Sequence, residues 1–381
     1  MNYKTQYPYS FTFHENIHLP LKDGTNLAAN LWLPSPKLPA ETFGAILEYL
    51  PYGKNTGTAI RDHLTHPYLS GHGYACLRVD MRGNGESEGL MFDEYLPQEQ
   101  EDCIEVIEWI AKQPWSNQKV GMMGISWGGF NGLQVAYLRP KALKAVITIC
   151  STDDRYSDDI HYKGGALLCE NMGWAATMLC YSSTIPDPKL EPKWEEMWIH
   201  RLKNLPILIK NWLFHQQRDS FWKHGSICED YSRIEATIYT IGGWNDSYRN
   251  TPFRMFRNLK SPRKALIGPW CHKYPHFAKP APAIGFLQEA LRFWDIWLRD
   301  KQNDVMQEER NIVAFIQSSR KPQSFYESVD GFWVRESSLE SKNFGKEKWF
   351  LNIGNKLESL QREDNVSIKV NSDLSTGKHA G

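Results

Sequence analysis

The chain has 381 residues, 41% of them hydrophobic, and its 44 basic side chains balance 44 acidic ones. That length favours one large domain with a smaller companion, and the balanced charge gives no electrostatic ground for a nucleic-acid or anionic-membrane partner. No apolar run approaches the ~20 residues of a membrane span, no signal peptide is readable, and seven cysteines without C-x-x-C spacing read as free thiols of a reducing compartment, so the expectation is a soluble cytoplasmic protein.

In chain order, "FTFHENIHLPLKDGTNLAANLWLP" (residues 11–34) reads as a hairpin whose turn is Lys22-Asp23-Gly24. "AILEYLPYG" (45–53) and "YACLRVDMRGNG" (74–85) are short apolar runs entering loops, hence buried strands. "EQEDCIEVIEWIAKQ" (99–113) spaces Ile104, Ile107, Trp109 and Ile110 as an amphipathic helix with acids at its start. "KVGMMG" (119–124) is a strand, "FNGLQVAYLR" (130–139) a helix and "KAVITIC" (144–150) a strand. Alternation of this kind predicts a mostly parallel sheet covered by helices on both faces. The pattern breaks over residues 155–233, where Trp-rich, helix-like text such as "WEEMWIHRLKN" predicts a helical insertion. It resumes with the strands "ATIYTIGGW" (236–244) and "KALIGPW" (264–270) and the helix "AIGFLQEALRFWDIWLRD" (283–300). Beyond about residue 305, "NIVAFIQSS", "GFWVRES" and "KWFLNIG" read as antiparallel strands.

Gly124-Ile125-Ser126-Trp127-Gly128 fits G-x-S-x-G between a strand and a helix. Such a turn exposes the serine Oγ at a sheet edge and at a helix N-terminus, where a developing oxyanion is favoured. Serine needs a base and an orienting acid, and a strand–serine–helix turn of the α/β-hydrolase kind predicts the order Ser, Asp or Glu, His, each after a strand. Asp246 and His272 stand in the two loops that order requires. One oxyanion donor would be the Trp127 backbone N–H. Tyr52 offers a phenol for the other, although read on its own it is a tyrosine packed at a strand end.

Together these segments resemble the CocE/NonD or S15 type of serine hydrolase, which groups cocaine esterase, α-amino-acid ester hydrolases and X-Pro dipeptidyl peptidases. The resemblance is carried by "PYGK" (51–54), "DMRGNGESEG" (80–89), "GISWGG" (124–129), "TDDRYSDDIHYKGG" (152–165), "GGWND" (242–246) and "GPWCH" (268–272). It implies an α/β-hydrolase fold over residues 1–325, with a helical cap at about 155–233. It also implies a C-terminal jelly-roll β module beginning at 326–381, too short here to be whole, so that a truncated chain is expected. By the same resemblance Ser126 is the nucleophile, His272 the base, Asp246 the orienting acid, and Tyr52 and Trp127 the oxyanion donors.

The expected chemistry is acyl transfer from an ester or amide without metal or organic cofactor. Amino-acid ester hydrolases carry two further carboxylates just after the acid, where this chain has Tyr248 and Arg249. That departure favours a carboxylic-ester hydrolase over an X-Pro-type aminopeptidase, with Trp174, Trp244 and Trp270 suited to an apolar or aromatic acyl group. A non-catalytic binding protein on the same scaffold is the rival of another class. A small ester or short peptide is the expected partner, and assembly into a homo-oligomer is left open. His63 and His66 lack a companion metal motif and read as structural. Asp153, Asp154, Asp158 and Asp159 read as caps or ion-pair partners of Arg155 and Lys163, one of which could line the cleft under the cap.

Overall fold

The computed structural model describes residues 7–301, 311–341, 350–352 and 356–358. Ten strands form one twisted sheet: β1 (Phe11–Pro20), β2 (Asn26–Pro34), β3 (Phe43–Leu50), β4 (Ala75–Asp80), β5 (Ser116–Ile125), β6 (Leu143–Ile149), and, numbered past a two-residue hairpin β7 (Tyr162–Lys163) and β8 (Ala166–Leu167), β9 (Thr237–Gly243), β10 (Arg263–Gly268), β11 (Ile312–Gln317) and β12 (Gly331–Glu336). Their order is β1-β2-β4-β3-β5-β6-β9-β10-β11-β12, parallel from β4 to β11 and antiparallel at both ends. β13 (Phe350–Asn352) and β14 (Lys356–Glu358) pair separately. Sequence reading took 311–319 as antiparallel. In the sheet β11 runs parallel to β10, and only its pairing with β12 is antiparallel. The segment read as the opening of a C-terminal module thus supplies the last strand, and most of 326–381 lies outside the described residues.

Nine helices are described: α1 (Ala59–Gly71), α2 (Pro97–Lys112), α3 (Trp127–Tyr137), α4 (Glu170–Ser182), α5 (Trp194–Lys203), α6 (Leu208–Phe214), α7 (Ser220–Lys223), α8 (Thr251–Asn258) and α9 (Phe286–Arg299). α2 starts on Pro97, has Glu99 in its first turn and Lys112 in its last, which suits the helix dipole at both ends. α9 buries Phe286, Ala290, Phe293, Trp294 and Leu298, one stripe of a 3.6-residue period. The sheet comes close enough to α9 that a Cβ on Gly121 would lie 2.5 Å from the Trp294 ring, so glycine is required there. α3 is buried along almost its whole length, which is why its text is mostly apolar, with Asn131 and Gln134 as buried polar exceptions.

α1 was not anticipated, and its chemistry says why. Its buried face is Asp62, Thr65, His66, Leu69 and Ser70, and Pro67 lies within it, so no apolar period is visible. Polar partners hold it instead: Arg61 to Glu48 at 2.7 Å and Arg78 to Asp62 at 3.0 Å, with His66 3.6 Å from Glu48. Donor atoms of Glu48, Asp62 and His66 gather within 4.8 Å of one another, but the two guanidiniums already supply the cationic charge this cluster needs.

Between β6 and β9 the chain leaves the sheet and forms α4 to α7 over the carboxyl ends of the parallel strands. The apolar text of this region is largely helical, although the small β7–β8 hairpin escaped the sequence reading. Arg201 on α5 donates to the carbonyls of Gly85 (2.7 Å) and Ser87. Asp93 accepts from Asn211 and Trp212 on α6. The loop beneath, "DMRGNGESEG", is a structural turn: Lys54 is buried between Asp80 and Glu86, and Gly83 and Gly85 both have positive φ.

Candidate active site

Ser126 sits between the end of β5 and the start of α3 with φ 58° and ψ −125°. That is a strained conformation for any residue with a Cβ. Its N–H bonds to the Ile149 carbonyl of β6, and its own carbonyl accepts from Gly129 and Phe130 as α3 begins. The glycines have definite causes. A Cβ on Gly124 would lie 2.5 Å from the Gly128 carbonyl carbon, and one on Gly129 would lie 2.9 Å from Thr148 Oγ1. Gly128 is less constrained, its nearest neighbour being the end of the Leu50 side chain at 3.0 Å.

Asp246 follows β9 and His272 follows β10, and the two loops are laced together. Trp244 N–H bonds the Gly268 carbonyl at 2.9 Å, Asn245 N–H the Trp270 carbonyl at 3.0 Å, and Asn245 Nδ2 the Pro269 carbonyl at 2.7 Å. This lacing brings His272 Nδ1 to 3.1 Å from Asp246 Oδ1. Asp246 is buried while the imidazole is 44% exposed. Burial raises the Asp246 pKa, but hydrogen bonds from His272 and Cys150 and the His272 charge outweigh it, and the carboxyl ends below its usual range. With Nδ1 engaged, Nε2 is the ring nitrogen left for a reacting hydroxyl. No hydrogen bond joins Ser126 to His272 in this state. The serine side chain instead lies beside the Tyr52 phenol, whose pKa burial raises and Ser126 partly restores.

Tyr52 and Trp127 converge on Ser126 from two directions. Tyr52 is a buried residue of the loop after β3, and its ring meets Trp127 edge-on at 6.3 Å. The Trp127 N–H is the first of α3, so no preceding helical carbonyl can accept it. The Trp127 indole is wholly buried and donates to Glu99 Oε1 at 2.6 Å, while Glu99 Oε2 accepts from Tyr95 N–H at 2.8 Å. Burial pushes the Glu99 carboxyl up to about 8. Sequence reading missed Glu99, because an acid in the first turn of a helix is already explained by the dipole.

Of the three tryptophans expected to contact substrate, Trp174 is the one whose ring stands beside both Tyr52 and Trp127. It is half-buried on α4, with its ring 6.4 Å from Tyr52 and 6.2 Å from Trp127. Its indole donates to Glu94 Oε2 at 3.1 Å. Glu94 is paired with the buried His161, which also contacts Asn171 at 2.7 Å. Burial opposes both charges, yet each offsets that effect on the other: Glu94 falls below and His161 rises above its ordinary value. Trp270 corrects the expectation: it is 1% exposed and donates to the Pro282 carbonyl at 2.9 Å, so it is core. Trp244 is half-buried, with its indole donating to Phe315 O at 2.6 Å and stacked on Phe253.

The four aspartates also resolve. Asp153 and Asp158 pair with Arg254, and Asp158 with Lys163 at 3.0 Å. Asp154 caps Tyr156 and Ser157. Arg155 turns to Glu94 at 3.8 Å rather than to an aspartate. Asp159 is the one beside the site: its Oδ1 accepts from Tyr248 at 3.1 Å, and Tyr248 lies 6.0 Å from the His272 ring. Its Oδ2 is buried without a partner, and burial raises the carboxyl to about 6.

The sheet order and the sharp turn at Ser126 are those of the α/β-hydrolase fold. Within that class the chain belongs to the X-Pro dipeptidyl-peptidase (S15) family, which it matches over residues 23–274. It is 27% identical over 293 residues to cocaine esterase from Rhodococcus sp. (strain MB1 Bresler), an alignment covering 69% of this chain and 49% of the esterase. In fold it is similar to a CocE/NonD family hydrolase from Staphylococcus aureus, with a TM-score of 0.66 and 22% identity over 90% of this chain and 59% of that one. An α-amino acid ester hydrolase superposes with a TM-score of 0.64 at 19% identity, over 94% of this chain and 65% of the other. The chain thus spans about half the length of the esterase it matches. No helix among the described residues is long and apolar enough to cross a membrane.

Proposed function

We propose that the protein is a serine hydrolase that cleaves carboxylic esters through a covalent acyl-enzyme. The observation that carries this reading is the Asp246–His272 pair, laced together after β9 and β10, together with a strained serine that lies beside the Tyr52 phenol. His272 Nε2 takes the Ser126 proton as Oγ attacks the acyl carbonyl. The Tyr52 hydroxyl and Trp127 N–H receive the oxyanion. His272 then returns the proton to the leaving group, and water repeats the sequence in reverse roles to release the acid. Asp246 fixes the imidazole tautomer and stabilises the imidazolium. Trp174 forms an aromatic wall next to both oxyanion donors, which suits an apolar or aromatic acyl group.

One observation favours a second reading, an X-Pro-type aminopeptidase. The unpartnered Asp159 Oδ2 could receive a substrate ammonium, in place of the carboxylates absent at positions 248 and 249. Turnover of p-nitrophenyl butyrate and benzoate against Gly-Pro-p-nitroanilide separates the two. The ester reading expects the esters to be hydrolysed with the higher kcat/KM and Ser126→Ala to abolish the activity. Faster cleavage of the anilide, reduced in Asp159→Asn, supports the peptidase. Ester turnover that persists in Ser126→Ala refutes both.

A further inference from the structure

Asp246 has two carboxylate oxygens, and only one is accounted for by nitrogen donors. Oδ1 takes His272 Nδ1 at 3.1 Å and, at 3.5 Å, the Tyr248 N–H. Oδ2 is buried without a hydrogen-bond partner in this geometry. A buried carboxylate oxygen left bare is costly, and one that is poorly held lets the acid swing away from its histidine.

A thiol stands beside this carboxylate. Cys150 follows β6 directly, is 2% exposed, and has φ 48°, a left-handed conformation unusual for a residue with a Cβ. Its N–H is fixed on the Ile241 carbonyl of β9 at 2.9 Å. This backbone kink sends the side chain between the two loops of the site. Cys150 Sγ, an Asp246 carboxylate oxygen and a His272 ring nitrogen lie within 4.8 Å of one another. The thiol and the Asp246 carboxyl each shift the other's ionisation, and the backbone N–H of Lys273, next to His272, bears on the sulfur. Three positions around one carboxylate resemble ligands for a cation, but the imidazole is already bonded to that carboxylate, and burial holds the thiol well above its usual pKa, so it keeps its proton and acts as a donor.

We infer that Cys150 is a positioning residue of the site: its S–H donates to the second oxygen of Asp246, holding the carboxylate in line with His272 and drawing off part of its charge. The inference rests on the hydrolase reading for its kinetic consequence, though not for the bond itself. Removing the donor concentrates charge on the oxygen that faces the imidazole. The imidazolium is then favoured, and the base is withdrawn at low pH.

Two measurements test it. The S–H stretch falls in a clear region of the infrared spectrum, and subtracting the Cys150→Ser spectrum from that of the unaltered protein isolates the Cys150 band. The band is expected to move to higher frequency in Asp246→Asn, where a weaker acceptor faces it. A band that stays in place overturns the inference whether or not the protein hydrolyses esters. In kinetics, Cys150→Ala should lose roughly tenfold in kcat/KM, the scale of lost outer partners at preorganised sites. It should also move the acid limb of the kcat/KM–pH profile to higher pH, and Cys150→Ser, which keeps a donor, should recover both. An acid limb unmoved in Cys150→Ala, or equal loss in Ala and Ser variants, assigns Cys150 to packing alone and overturns the inference. Ester turnover that is absent from the unaltered protein counts against the hydrolase reading, and the infrared result then decides the bond by itself.

Discussion

Tyr52 and Trp127 reach the serine by different means, and their loss has different consequences. The Tyr52 phenol is a side-chain donor whose removal leaves the fold in place. Tyr52→Phe should lower kcat by roughly 10²–10³ with a small change in KM, as expected for a contact made mainly in the transition state; steady-state kinetics on a p-nitrophenyl ester reads this directly. The Trp127 N–H can be disturbed only through the elbow itself. Its indole is held by Glu99, and Glu99→Ala would strand two buried donors, the Trp127 Nε1–H and the Tyr95 N–H, at about 1–3 kcal/mol each. Glu99→Gln keeps one acceptor and should lose less, in both thermal midpoint and kcat. At this scale the sequence was legible where a role has a fixed grammar. Ser126, Asp246 and His272 could be placed as candidates from strand ends and order, because the α/β-hydrolase fold sets that order. Glu99, Glu94 and His161 could not, since nothing in an acidic residue's neighbours in sequence announces an indole or imidazole 28 or 67 residues away. Trp244 and Trp270 misled for the converse reason: each stands next to a site residue in sequence, while its indole is tied to a backbone carbonyl away from the cleft.

Among the elements, α4 and α1 carry opposite burdens. α4 brings Trp174 to the site, and the Glu94–His161 pair fixes its indole from behind. Trp174→Ala should therefore reduce kcat/KM for benzoate esters more than for acetate esters, by roughly 10–200-fold in relative specificity, the range that one apolar contact supports. Equal loss on both would mean that the indole serves the cap rather than the acyl group. α1 carries stability. His66 is buried against Trp32 and near Glu48, and burial lowers its pKa to about 4, with Glu48 opposing. The unfolded chain takes up this proton below about pH 6.5, the folded protein only near 4. The His66 contribution is thus complete above pH 6.5 and is lost as the pH falls toward 4. Thermal midpoints between those values should decline with acidity, and His66→Leu should flatten that decline. An unchanged slope would show that other groups carry the acid sensitivity.

For the molecule as a whole, strand–helix alternation was enough to anticipate the parallel sheet, because β3, β4, β5, β6, β9 and β10 are each a short buried run ending at a loop. α1 was hidden by its charged inner face. β12 was legible as an antiparallel strand but not its place, because an edge strand with exposed Phe332 reads the same whether it closes this sheet or opens another. A further β module downstream of residue 325 remains our proposal, drawn from the likeness of its text to the family.

The central claim is that three loops, after β5, β9 and β10, form one acyl-transfer site around Ser126. It is tested most directly by incubating the protein with a fluorophosphonate and mapping the adduct by peptide mass spectrometry. The account predicts a single adduct on Ser126, absent in Ser126→Ala and strongly slowed in His272→Ala. No adduct on Ser126, or labelling at another residue that survives Ser126→Ala, would contradict it.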